Sequence, residues 1–173
     1  MMENILFNIS SQIGKLEMDN LKLEKEVLSN RTRRSTDPNV SPFEDTILLT
    51  PEGSESKRLI DAMRDIGRSM GLGLEEYWSQ IHEPLESTDL HYHGDSKNQI
   101  MLSWVYYVKV PSNSGDLQFI LDDKDYRAPT HIHKTVAGDY IIFPSWIRHK
   151  VSKNLSHDYR ISIAGDFSLD GIK

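Results

Sequence analysis

The stretch DYIIFPSWIRHKVSKNLSHDYRISIAGDF, residues 139–167, decides the reading of the chain. It holds two strand-like runs, DYIIFP and YRISIAGDF, rich in β-branched and aromatic residues and bounded by turn chemistry. His149 follows Phe143-Pro144-Ser145-Trp146, at a strand end and turn. Arg160 opens the next strand eleven residues later, and Ser162 shares its face. A guanidinium can grip a terminal carboxylate at two points, and a hydroxyl two residues on can add a hydrogen bond.

Outward from this stretch, further strand candidates are TILLT, EEYWSQI, QIMLSWVYYVKV and DLQFIL, separated by turns such as PSNSG at 111–115 and AGD at 137–139. Several short strands without intervening helices predict a mainly β fold, a closed or nearly closed antiparallel barrel or jelly roll. One helix is expected over 54–70, with Leu59, Met63, Ile66 and Met70 as its apolar stripe and Gly71 and Gly73 ending it.

The N-terminal segment reads differently. Met2, Leu6, Ile9, Ile13, Leu16, Asn20, Leu23 and Val27 step by fours and threes, a heptad pattern with Asn20 at an a position. Residues 1–28 are therefore expected to form an N-terminal helix. It either pairs in a coiled coil or docks as an amphipathic helix on its own domain or on a partner protein. Residues 29–43, with three arginines and two prolines, read as a linker, and residues 44–173 as the domain proper.

Composition narrows the function. The chain has 173 residues, a formal net charge of -6 and no cysteine. These exclude disulfides, Cys-zinc sites and thiol catalysis, and speak against a nucleic-acid surface. No signal peptide or membrane span is recognisable, and a cytoplasmic protein is expected.

Upstream of His149 lies LHYHGDSKN, in which His91, His93 and Asp95 alternate and so share one face of an extended strand. Iron(II) that must also hold oxygen and a chelating cosubstrate needs three protein ligands on one side. His93, Asp95 and His149 make the two-histidine, one-carboxylate set; His91 and His93 with His149 make a three-histidine set. Tyr106 and Tyr107 sit on a middle strand, and one of them must face inward. His82, His131, His133 and His157 read as surface histidines.

From Trp78 to Phe167 the chain resembles the 2-oxoglutarate- and Fe(II)-dependent oxygenases, and within them a compact group found in bacteria and phages. HYHGDSKNQIMLSWVYYVKVPSNSG, AGDYIIFPSWIRHKV and RISIAGDF carry the resemblance. It implies a double-stranded β-helix with one or two flanking helices. It also implies Fe(II) held between the strand motif and His149, and 2-oxoglutarate chelating the iron and reaching Arg160. Ser162 and an inward tyrosine, Tyr107 before Tyr106, would assist. Such enzymes decarboxylate 2-oxoglutarate to succinate and hydroxylate a second substrate, here unidentified. The related group has a His-x-His pair at His91 and His93, whereas His-x-Asp chemistry favours His93 and Asp95; the reading takes His93, Asp95 and His149, with His91 as the alternative ligand. Trp104 stands where a small residue is usual and is expected to narrow the substrate side.

Two other readings compete. The appended heptad helix suits a phage virion or neck component built on an oxygenase-like scaffold, which would place the protein in the virion. Three histidines suit a cupin-like metalloprotein that uses no 2-oxoglutarate.

Overall fold

The computed structural model describes residues 9–30, 54–93, 100–121 and 131–169, and the backbone of 43–45. Its elements, in chain order, are β1 (Gln12–Lys15), α1 (Asn20–Ser29), β2 (Phe43–Asp45), α2 (Glu55–Ser69), β3 (Gly73–His82), β4 (Thr88–His91), β5 (Ile100–Lys109), β6 (Leu117–Ile120), β7 (His131–His133), β8 (Asp139–Pro144), β9 (Arg148–Val151) and β10 (Arg160–Ser168). Two antiparallel sheets face each other, one ordered β1-β8-β5-β10-β3-β2 and the other β4-β9-β6-β7. This is a double-stranded β-helix, a form of jelly roll.

β10 is the organising strand. It pairs with β3 on one edge and β5 on the other, and all nine of its residues are buried. Alternation splits it between two environments. Ile161, Ile163 and Phe167 join the core under the helices with Leu59, Met63, Trp104 and Tyr106. Arg160, Ser162 and Ala164 line the space between the sheets. There a second core forms, from Tyr107, Leu117, Phe119, Ile141, Phe143, Ile147 and Val151.

α2 forms where the stripe predicts it. Ser54 caps its start by accepting from the Lys57 amide, and Gly71 ends it at a φ of 74°. Leu59, Ile60 and Met63 are buried against the sheet.

The long N-terminal helix does not form. Gln12–Lys15 instead add an edge strand to β8, and the helix starts only at Asn20, where Asp19 accepts from the Lys22 amide. The local reasons are visible. Gly14 lies against the Tyr140 ring, and a Cβ there would come within 2.4 Å of it. Asp19 is a better cap than interior helix residue. Leu23 and Val27, the expected coiled-coil seam, are wholly buried in the chain's own core. Asn20, the expected register-setting residue, accepts the Tyr106 hydroxyl at 2.6 Å. Residues 1–8, 31–42 of the expected linker and the TILLT run lie outside the described residues.

Trp104 packs on Phe167 and closes over Gly165 in the core under the helices, and it also lines the space between the sheets.

Candidate active site

Three histidines meet at one end of the space between the sheets. His91 on β4 and His149 on β9 are direct register partners. His93 lies just past β4, its amide bonded to the Ser145 carbonyl at 2.9 Å. One ring nitrogen from each of the three lies within 4.8 Å of the others. Each Nδ1 is already engaged. That of His91 contacts the Asp89 carbonyl at 2.7 Å, that of His149 the Ile147 carbonyl at 2.9 Å, and that of His93 both carboxylate oxygens of Asp166 at 3.0 and 3.1 Å. Carbonyl and carboxylate oxygens accept, so Nδ1 donates and Nε2 keeps the lone pair a metal needs. Burial, reinforced by the neighbouring His91, pushes His149 down to about 3; burial also lowers His91. Both rings are therefore neutral, the ligand form, at physiological pH.

Asp95 lies outside the described residues. The carboxylate the structure does bring to the cluster is Asp166, which also accepts the Ser103 hydroxyl at 2.7 Å. Trp78 stacks on His93 with ring centroids 5.4 Å apart, and Phe143 meets His149 edge-on at 4.9 Å. Asp166, Ser103 and Trp78 were missed from sequence. A carboxylate inside the apolar run RISIAGDF was the available signal, because buried Asp is rare without a partner.

The other end of the same cavity is built around Arg160, which is 1% exposed. Its Nη1 donates to Ser162 Oγ at 3.2 Å, and its guanidinium lies 5.4 Å from the Tyr107 ring centre. Among the described residues no carboxylate forms an ion pair with it. Its Nε and the Tyr107 hydroxyl are buried without a hydrogen-bond partner. Burial lowers the Arg160 pKa and raises that of Tyr107. A cation and a hydroxyl left unsatisfied in one buried cavity call for an anionic acceptor.

The structure places Tyr106 outside the cavity that holds Arg160 and Tyr107. Alternation with Tyr107 turns it to the helix side, where its hydroxyl donates to Asn20 and burial pushes its pKa up to about 12. His82 and His133 are not surface residues either, at 0% and 7% exposed. His82 pairs in register with Arg160, accepts or donates at Thr88 Oγ1 over 2.7 Å, and is pushed down to about 3 by burial and then by the Arg160 charge. His133 stacks on Tyr107 with centroids 5.8 Å apart.

The family model described as "Putative 2OG-Fe(II) oxygenase" matches residues 76–166, more than half of the chain. The chain belongs to this oxygenase family. It is accordingly a 2-oxoglutarate-dependent oxygenase that uses Fe(II), and the donor set agrees: imidazole nitrogens suit iron, and the unsatisfied Arg160 and Tyr107 suit a carboxylate. No curated protein matches the chain at significant similarity.

Solved structures share the fold. A Pseudomonas putida prolyl-4-hydroxylase aligns at 19% identity and a TM-score of 0.68, covering 92% of each chain. A viral collagen prolyl hydroxylase from Paramecium Bursaria Chlorella virus-1, in its 2-oxoglutarate complex, aligns at 13% and 0.64, covering 91% of this chain and 94% of that one. A Trichoplax adhaerens prolyl hydroxylase, complexed with a hypoxia inducible factor peptide fragment, aligns at 11% and 0.69, covering 92% and 84%. None of these matches points to a virion or neck component. No helix among the described residues is long and apolar enough to cross a membrane.

Proposed function

We propose that this oxygenase is a hydroxylase of a peptide segment, with iron held by Nε2 of His91, His93 and His149 and 2-oxoglutarate anchored by Arg160, Ser162 and Tyr107. One observation carries the reading. A cluster of three metal-capable imidazoles and an unpaired buried guanidinium line the same cavity. When bound, Fe(II) with 2-oxoglutarate supplies oxygen activation, coupling decarboxylation of the cosubstrate to oxygen insertion into a C–H bond.

The protein's own share is placement. The engaged Nδ1 atoms orient three rings toward one point. Arg160 and Ser162 offer a two-point grip on the far carboxylate, and Tyr107 donates beside them. The apolar walls, Val105, Leu117, Phe143 and Val151, keep water from competing. The cavity's free volume is small, about 30 Å³.

A separate surface groove of about 370 Å³ is lined by Tyr92, Ile120, Leu121, Trp146 and Arg148, the neighbours in sequence of the three histidines among them. Tyr92 and Trp146 are each 58% exposed. Flat apolar rings exposed in a surface groove suit an extended chain segment, in keeping with the peptide-bound Trichoplax neighbour.

Anaerobic addition of Fe(II) and 2-oxoglutarate should give a visible charge-transfer band that Arg160→Ala abolishes, and in air the protein should release succinate. Titration with redox-inert Mn(II) separates the two ligand sets. His91→Ala should lose binding and Asp95→Asn should keep it; the reverse would restore the His93–Asp95–His149 set. Absence of both the band and succinate would overturn the enzyme reading.

A further inference from the structure

We propose that Asp166 is a positioning residue that locks His93 as a metal ligand and supplies the negative charge of an otherwise all-imidazole site. The proposal rests on the three-histidine reading above.

The three rings are not held alike. His91 and His149 each use the carbonyl two residues earlier, a bond that comes with the local backbone. His93 instead reaches a carboxylate 73 positions away on β10. Asp166 gets there by alternation, on the same side of β10 as Arg160, Ser162 and Ala164, while Phe167 turns to the helix-side core.

The fold does not need this carboxylate. Asp166 is 1% exposed, and burying an anion costs several kcal/mol unless it is well paired. Among the described residues its side-chain partners are the His93 ring and the Ser103 hydroxyl. No Lys or Arg pairs with it among the described residues. Its register partner on β3 is another acid, Glu76, whose carboxyl is pushed up by burial and then by the Asp166 charge. A buried anion beside a second acid, with no cationic Lys or Arg among the described residues to offset it, is a poor stabilising element. It becomes favourable when a dication sits on the far side of the His93 ring. Carboxylate, imidazole and metal then lie in series, and the acceptor raises the basicity of Nε2. Ser103 and Trp78 complete the support, one by donating to Asp166 and the other by stacking on His93.

The test uses the full chain, without iron or cosubstrate, titrated with Mn(II) at neutral pH. Asp166→Asn keeps the size and one acceptor oxygen but removes the charge. It should weaken Mn(II) binding about 10- to 100-fold, and Ser103→Ala should weaken it by a few-fold. Affinity of Asp166→Asn within two-fold of wild type overturns the proposal. His93→Ala is the control. If it also binds like wild type, His93 is no ligand and the three-histidine reading falls; if it loses binding while Asp166→Asn does not, only the Asp166 role falls. Should Asp166→Asn fail to fold, nitrogen NMR of the metal-free wild-type imidazoles decides. His93 is expected as the Nδ1–H tautomer, and an Nε2–H ring overturns the assignment.

Discussion

Replacing Arg160 by methionine should make the ligand-free protein more stable and take away most of the stabilisation that 2-oxoglutarate confers. Arg160 is 1% exposed, and its guanidinium has one hydrogen bond, to Ser162, and one aromatic neighbour, Tyr107 at 5.4 Å. The ring contact is worth about 0.5–2 kcal/mol. It only partly offsets a burial penalty of several kcal/mol for an unpaired ion. Methionine fills similar space without charge, so Arg160→Met should raise the ligand-free stability by about 1–3 kcal/mol, or about 3–9 °C for a chain this long. The same change removes a charge-assisted two-point contact with 2-oxoglutarate. Truncating one side of such a buried pair costs about 2–5 kcal/mol, a loss of about 30- to 5000-fold in affinity. Thermal melts with Mn(II) present, with and without 2-oxoglutarate, read both effects. At a hundred times its Kd the cosubstrate should stabilise wild type by about 2.7 kcal/mol. It should stabilise the variant by less than about 1 kcal/mol. A ligand-free variant that melts well below wild type would refute the unpaired-cation argument, and unchanged 2-oxoglutarate affinity would refute the anchor.

Three further outcomes are expected. His82 is held neutral at a pKa of about 3 against 6.5. The unfolded chain therefore takes up the proton first, and stability present above pH 6.5 is lost as pH falls toward 3, by about 2 kcal/mol at pH 5. Urea melts of His82→Gln should show a flatter acid limb than wild type, and an unchanged limb would count against the assignment. Gly165→Ala should destabilise by about 3 kcal/mol, since a Cβ there meets the Glu76 carbonyl oxygen at 2.4 Å and the Trp104 ring at 2.7 Å. A melt within 1 °C of wild type would contradict that packing. Deleting residues 1–30 should unfold the domain rather than merely change its oligomeric state, because Leu23 and Val27 are 0% exposed in the main core and losing two such side chains costs about 4–8 kcal/mol. A truncated chain with a cooperative melt near wild type would refute it.

Strands and α2 were legible because their signals are local: period-two alternation in YRISIAGDF, and a Ser54 cap, apolar stripe and Gly71 stop around the helix. The N-terminal segment was misread because its spacing fits a heptad while its fate is tertiary. β1 is mostly exposed and carries no apolar stripe; it is a strand because β8 offers an edge and Tyr140 leaves room only for a glycine. The Asp19 cap lay inside the supposed helix and was the local clue against it. At the site, His91, His93, His149, Arg160, Ser162 and Tyr107 are legible in the sequence motifs, and the structure gathers them around one cavity. Asp166 escaped because its partner is 73 residues away. Assigning Tyr106 and Tyr107 needed the phase of β5, which composition does not carry.

That β10 is buried on both sides has an evolutionary consequence. Positions 161, 163, 165 and 167 answer to the packing under the helices, and 160, 162, 164 and 166 answer to the ligands. The two sets can drift almost independently, so a lineage can retune its cosubstrate grip or metal field without renegotiating the scaffold. A single inserted residue would exchange the two sets at once, which makes length, more than composition, the property of this strand under strictest selection.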